Sequence, residues 1–185
     1  ALHQGFAQSA AARLSVMLRR KIDVKLARVE QIPYGEFADR LENPTCLNLL
    51  TAHPLESTLA LELNPAILYP LIDRLLGGGH REALSARRPL TEIERRIASR
   101  LTALLVDELQ RAWQGVLDVR LEVARVECNP QAASIAPPGE VVVVIRFHVR
   151  LGESQGQFNL CLAGAVLDRL RERLSATRWH TSSPA

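Results

Sequence analysis

Little in this sequence is equipped for chemistry. The cysteines, Cys46, Cys128 and Cys161, are odd in number and scattered, with no C-x-x-C pair, which argues against a disulfide framework or a zinc ribbon. The histidines, His3, His53, His80, His148 and His180, show no H-E-x-x-H or comparable ligand spacing. G-x-S-x-G, the Walker A loop and G-x-G-x-x-G are all missing, so the sequence motifs of hydrolases, P-loop enzymes and dinucleotide enzymes are absent. No cofactor is expected. The longest apolar run, Val141–Ile145, falls far short of the roughly 20 residues of a membrane span. Lysine is nearly absent, 2 against 21 arginines, and a net charge of +3 gathers into no segment dense enough to track a phosphate backbone. Nucleic acid is therefore not an expected partner. No basic-then-apolar signal segment opens the chain, which begins with Ala1 rather than Met. A reducing, cytoplasmic setting follows from the cysteine usage.

What is present is apolar residues at regular spacing, enough to exclude disorder as the main state. Phe6, Ala10, Leu14, Met17 and Leu18 predict an amphipathic helix over Gln4–Arg20, with Arg19, Arg20 and Lys21 at its C-terminal end, where positive charge suits the dipole. Period-two alternation over Val24–Ile32 predicts a strand but leaves open which face is buried. A Pro- and Asn-containing loop follows, then a hairpin from Cys46–Ala52 and Thr58–Leu63 around Pro54. Asn64-Pro65 starts a second helix that Pro70 should kink or delay and that Gly77, Gly78 and Gly79 end. Thr91-x-x-Glu94 is a capping box for a helix reaching Trp113. Strands are expected over Leu117–Glu127, Val141–Leu151 and Gln157–Leu162, then a helix over Ala163–Ser175 and a flexible polar tail over 177–185.

The order helix, strand, strand, strand, helix thus occurs twice. Leu26–Glu30 (LARVE) and Val123–Glu127 (VARVE) are nearly one text, and Leu61, Leu63, Leu68, Leu71 and Leu75 match Leu160, Leu162, Leu167, Leu170 and Leu174. The two matches are offset by amounts that differ by two residues, a slip one hairpin would absorb. Copies spanning about 4–79 and 91–175 are each too small to bury a good core alone, so they should pack around a pseudo-twofold axis within one domain over 1–176. The expected fold class is α/β (α+β).

Ser15–Arg20 (SVMLRR), Pro44–Asn48 (PTCLN), Leu76–Arg81 (LGGGHR), Leu90–Ile97 (LTEIERRI) and Asn129–Val144 (NPQAASIAPPGEVVVV) together resemble the middle domain of the FliM family of flagellar motor switch proteins. The resemblance runs from Gly5 to about Leu174, and Asn129–Val144 is its most specific piece. It implies the pseudo-symmetric fold of the CheC and CheX chemotaxis phosphatases. It also implies a non-enzymatic scaffold on the cytoplasmic face of the inner membrane, in the flagellar basal body, beside FliG and neighbouring FliM subunits. Family members carry a segment that captures phosphorylated CheY and a domain that assembles with FliN; neither is visible in this chain.

Two candidate sites follow. The loop Gly77, Gly78, Gly79, His80, Arg81 reads either as a helix C-cap with spare glycines or as a surface that a partner's backbone approaches closely. The resemblance implies FliG contact there, with the departure that His80 stands where the family's G-G-x-G motif ends in glycine. Arg81, Arg87 and Arg88 are either solvated or paired with acidic groups of that partner. The alternative function is a CheC-type phosphatase of phosphorylated CheY, which needs Glu-x-x-Asn on one helical face. None of Asn43, Asn48, Asn64, Asn129 and Asn159 is preceded three residues earlier by Glu, and Leu14, Met17, Ile97 and Leu101 continue apolar stripes instead. A type III secretion ring component is a third, weaker reading, because those proteins share mainly the C-terminal module. The cysteines and Trp113 read as core residues; Trp179 has no assigned role.

Overall fold

The computed structural model describes residues 2–78 and 88–180, with side chains described as far as Glu172. The first half runs α1 (Leu2–Leu18), β1 (Ile22–Pro33), α2 (Tyr34–Arg40), β2 (Cys46–His53), β3 (Ser57–Leu63) and α3 (Pro65–Leu75). The second runs α4 (Glu92–Trp113), β4 (Arg120–Glu127), a 3-10 turn (Pro130–Ala132), β5 (Val141–Leu151), β6 (Ser154–Leu162) and α5 (Gly164–His180). The predicted capping signals operate. Thr91 Oγ1 accepts from Glu94 N at 3.3 Å while Glu94 Oε2 accepts from Thr91 N at 2.7 Å, and Asn64 Oδ1 accepts from Ala66 N at 2.9 Å. α3 continues through Pro70, which is buried inside it. α5 runs on to His180, past its expected end near Ser175, and the rest of the expected tail, 181–185, lies outside the described residues.

All strand pairs are antiparallel, in the order β1-β5-β6-β3-β2-β4. Exchanging β1 with β4, β2 with β5 and β3 with β6 returns the same order read backwards, which is the expected pseudo-symmetry. Leu61 and Leu160, matched in the sequence, pair with each other at the centre of the sheet. The two-residue slip is absorbed in the hairpins. β2 and β3 pair as far as Ala52 and Ser57 around residues 53–56, whereas β5 and β6 pair out to Leu151 and Ser154 around Gly152 and Glu153.

Both edge strands, β1 and β4, are bulged at matched positions: pairing skips Ala27 in LARVE and Ala124 in VARVE. A bulge shifts the side-chain alternation by one, so residues before and after it that share parity face opposite sides. Ile22 and Val24 therefore join the larger core, and Ile32 the smaller one. This is why alternation alone left the buried face of β1 open.

One face of the sheet carries the larger core, with α1, α3, α4 and α5 over it. Phe6 of α1 meets Phe147 and Phe158 of the other half's hairpin at 5.2 and 6.1 Å between ring centroids. α3 packs on β6, and α5 on β3. The opposite face is covered where the two β-to-β connections meet. Tyr34 N donates to Glu140 O and Gly35 N to Pro138 O, both at 2.8 Å, and Tyr34 Oη donates to Ala133 O at 3.0 Å. The loop expected between β1 and β2 thus contains the short helix α2. At seven residues, with Gly35 second, it has little intrinsic stability and is held by burial of Tyr34 and Phe37.

Beside the axis the symmetry is broken by polarity. Glu62 of β3, fully buried, pairs with Asn159 of β6, where the symmetry-related pair is Ala60 and Cys161. Asn159 Nδ2 donates to Glu62 Oε2 at 2.7 Å, Thr45 Oγ1 lies 2.6 Å from Oε1, and Arg146 Nε donates to Asn159 Oδ1 at 3.2 Å. Burial pushes the Glu62 carboxyl from an ordinary 4.5 up to about 7, against the hydrogen bonds from Thr45 and Asn159. Because the folded state holds this proton more tightly than the unfolded chain, the contribution of Glu62 to stability falls as pH rises from about 4.5 to about 7, by an amount on the order of 3 kcal/mol. Glu62→Gln keeps both hydrogen bonds, its carbonyl accepting from Asn159 and its amide donating to Thr45. Urea unfolding at about pH 5 and about pH 8 should show the stability difference between wild type and variant moving against the wild type at the higher pH; the opposite contribution of His3, whose pKa burial lowers to about 4, is common to both proteins and cancels in that difference.

Candidate functional site

The glycine loop begins at the end of α3, and the described part of it is a complete Schellman cap. Gly77, at φ +89°, is the left-handed residue; its N donates to Arg74 O at 3.2 Å, and Gly78 N donates to Asp73 O at 2.9 Å. One glycine therefore satisfies the cap. Gly78 has no left-handed φ to explain it. A Cβ there would stand against the Asp73 carboxylate, a flexible group that can swing aside. The Gly78 carbonyl accepts from Arg74 Nη1 at 3.1 Å, so the backbone is held on both sides of the residue. Of the predicted site residues, Gly79, His80 and Arg81 lie outside the described residues, as does Arg87.

The chain is described again from Arg88, and here a sequence expectation is corrected. Arg88, though exposed, is already paired within the chain: its guanidinium grips Glu94 with two bonds of 2.7 and 2.8 Å and lies 5.4 Å over the Tyr69 ring. Tyr69 Oη donates to Arg88 O at 2.7 Å, tying this residue back to α3. The Arg88 bonds, with help from the Thr91 donors, hold the Glu94 carboxyl down at about 2. Arginine content alone could not separate an arginine already paired within the chain from an unpaired one.

Beside Gly77 lies a cleft of about 280 Å³ that the sequence did not announce, lined by Met17, Leu18 and Arg19 of the α1 terminus and by Arg74, Leu75 and Gly77. Leu76, next to it in the chain, is 60% exposed and adds apolar surface beside the cleft. No sequence signal pairs these segments, because α1 and α3 are brought together only by packing.

The helices that would bear a phosphatase motif, α1 and α4, carry no asparagine. Leu14 and Leu101 are buried in the core, with Met17 and Ile97 packed against it. Asn48 is buried, donating to Leu61 O at 3.1 Å and accepting from Thr102 Oγ1 at 3.2 Å. Cys46 and Cys161 are buried and Cys128 half-buried; burial pushes the Cys46 thiol up to about 12 and raises Cys161 as well. Among the described residues no cluster of His, Cys, Asp and Glu could hold a metal, and no helix is long and apolar enough to cross a membrane. Trp113 is fully buried, with its Nε1 3.4 Å from His3 Nε2, a core residue as expected; the Trp179 side chain lies outside the described ones.

A family model for flagellar motor switch protein FliM matches residues 1–179. FliM of Bacillus subtilis (strain 168) is 37% identical over 184 residues, covering 98% of this chain and 54% of the relative. The chain spans about half the length of the curated relatives it matches. Among solved structures, the FliM middle domain of Vibrio alginolyticus superimposes with a TM-score of 0.83 at 28% identity, covering 93% of this chain and 96% of the other. A chain of the FliG–FliM complex from H. pylori does so with 0.81 at 27% identity, covering 86% and 87%. A CheC-like superfamily protein from Shewanella, 8% identical with a TM-score of 0.58 over 88% of this chain and 97% of that one, shares the fold alone. The sequence blocks, the swapped six-stranded sheet and these matches converge: the chain belongs to the FliM family of flagellar motor switch proteins.

Proposed function

We propose that this chain works as a non-enzymatic scaffold of the flagellar motor switch, docking FliG through the surface around Gly77 and Gly78. The observation that carries the reading is the cap itself. Gly77 is the left-handed residue that closes α3, so the cap does not require a glycine at position 78, beside an exposed leucine. The likeness to the FliM chain solved with FliG in H. pylori supports FliG as the occupant. Gly79, His80 and Arg81 follow Gly78 in the sequence.

Ring assembly fits the architecture. Heterologous contacts between neighbouring FliM subunits require two different lateral faces. α1 lies over the β1 edge, and β4 forms the opposite edge, so the two halves present distinct sides. Val16 on α1 and Val123 and Val126 on β4 are exposed apolar residues on those sides. FliN and phosphorylated CheY would engage segments of the whole protein outside this chain, and the assembly would sit at the cytoplasmic face of the inner membrane as part of the basal body.

Three outcomes are expected. Gly78→Leu should weaken FliG binding about tenfold, about 1.4 kcal/mol, with an unfolding midpoint little changed, because the atoms nearest its added Cβ belong to the flexible Asp73 carboxylate; calorimetric titration with FliG measures it, and an unaltered affinity in a folded variant would move the interface elsewhere. Phosphorylated CheY should lose its phosphate at the same rate with or without a stoichiometric amount of this chain, and clear acceleration would overturn the scaffold reading. In analytical ultracentrifugation at micromolar concentration the chain should sediment as a monomer, since ring contacts are individually weak and rely on high local concentration; a stable twofold dimer would contradict the heterologous arrangement.

A further inference from the structure

The helices α1 and α3 end side by side in the same backbone motif with different residues at its critical position. In α1, Arg19 N donates to Val16 O at 3.3 Å and Arg20 N to Ser15 O at 3.1 Å, the pair of bonds that Gly77 and Gly78 make in α3. The left-handed residue is Gly77 in one case and Arg19, at φ +51°, in the other. After α4, the corresponding helix of the second half, the positive-φ position of the following turn is also a glycine, Gly115 at φ +84°. An L side chain in this conformation costs free energy that glycine does not. The strain marks Arg19 as a residue kept for its side chain.

Nothing among the described residues explains that side chain. Ion pairs near it join Arg13 to Glu108 and Lys21 to Asp23, and none among the described residues involves Arg19, which is exposed. Arg20 and Lys21 already place positive charge at the negative end of the helix dipole, without strain. Arg19 instead lines the cleft of about 280 Å³ that it shares with Met17, Leu18, Arg74, Leu75 and Gly77. The volume lies at the lower limit for a small-molecule site and suits one or two protein side chains. Its apolar wall is Met17, Leu18 and Leu75. Its two charges are both positive, and Arg74 is committed to the Gly78 carbonyl.

We propose that the end of α1 is the second wall of the FliG contact: the cleft receives an apolar side chain of FliG, and Arg19 binds a carboxylate that flanks it on the same partner segment. The assignment rests on FliG docking at Gly77 and Gly78, with which the cleft is continuous through Gly77. It adds a residue that neither the glycine motif nor the loop contains. A guanidinium reaching a carboxylate at the rim of an apolar contact supplies orientation and a salt-sensitive share of the affinity.

The test uses this chain and purified FliG from the same organism. Arg19→Gly should fold with an equal or higher unfolding midpoint, because it relieves the left-handed strain, and should bind FliG at least fivefold more weakly. Arg19→Glu should bind more weakly still, and wild-type binding should decline with ionic strength more steeply than that of Arg19→Gly. If wild-type chain binds FliG and Gly78→Leu weakens it, but both Arg19 variants bind as the wild type does, this inference is overturned while the glycine surface stands. If wild-type chain shows no FliG binding at all, the docking reading falls, and this inference with it.

Discussion

The antiparallel pairing of β3 with β6 is the contact on which the rest of the molecule depends. Each half supplies a hairpin, β2-β3 or β5-β6, whose inner strand would expose unpaired backbone groups but for the other half's equivalent strand, and whose outer strand is covered by the other half's first strand. The helices reinforce the exchange, since α3 lies on β6, α5 on β3, and Phe6 of α1 against Phe147 and Phe158. A half of under a hundred residues buries too little surface to fold well alone. Cooperativity between the halves is therefore imposed by topology, and the surfaces at either end are held in a fixed relation.

That symmetry is broken where it matters energetically. Glu62 and Asn159 replace an apolar pair beside the axis, and the carboxyl is linked through Asn159 and Arg146 toward Glu30 and the exposed Arg40. A half-satisfied polar group there would be costly, but every buried side-chain nitrogen and oxygen among the described residues has a partner. The helix ends break the symmetry too. The same turn is closed by Gly77 in α3 but by Arg19 in α1, so the end of α1 accepts strain that α3 avoids.

Elements with local signals were legible. The capping box at Thr91, the Asn64-Pro65 start, the Gly77 stop and the hairpin around Pro54 depend on neighbours a few residues apart, and they appear where their spacing puts them. α2 was not legible, because its seven residues are helical only while Tyr34 and Phe37 are buried and Tyr34 and Gly35 bond to Glu140 and Pro138. The bulges at Ala27 and Ala124 were visible as repeated text without being recognisable as bulges, and they disrupted the alternation used to assign faces.

For this protein the sequence by itself determined the order of the elements, their duplication, the family and the position of the glycine turn, because these follow from patterns along the chain. The tertiary structure alone decided that Arg88 is committed to Glu94, that Glu62 is sealed beside Asn159, and that Met17 and Arg19 share a cleft with Gly77. Those facts join residues from different segments, and the physical reason is common to them. A side chain's partners, its solvation and hence its charge state are properties of the space around it, and that space exists only once the two halves have closed on each other.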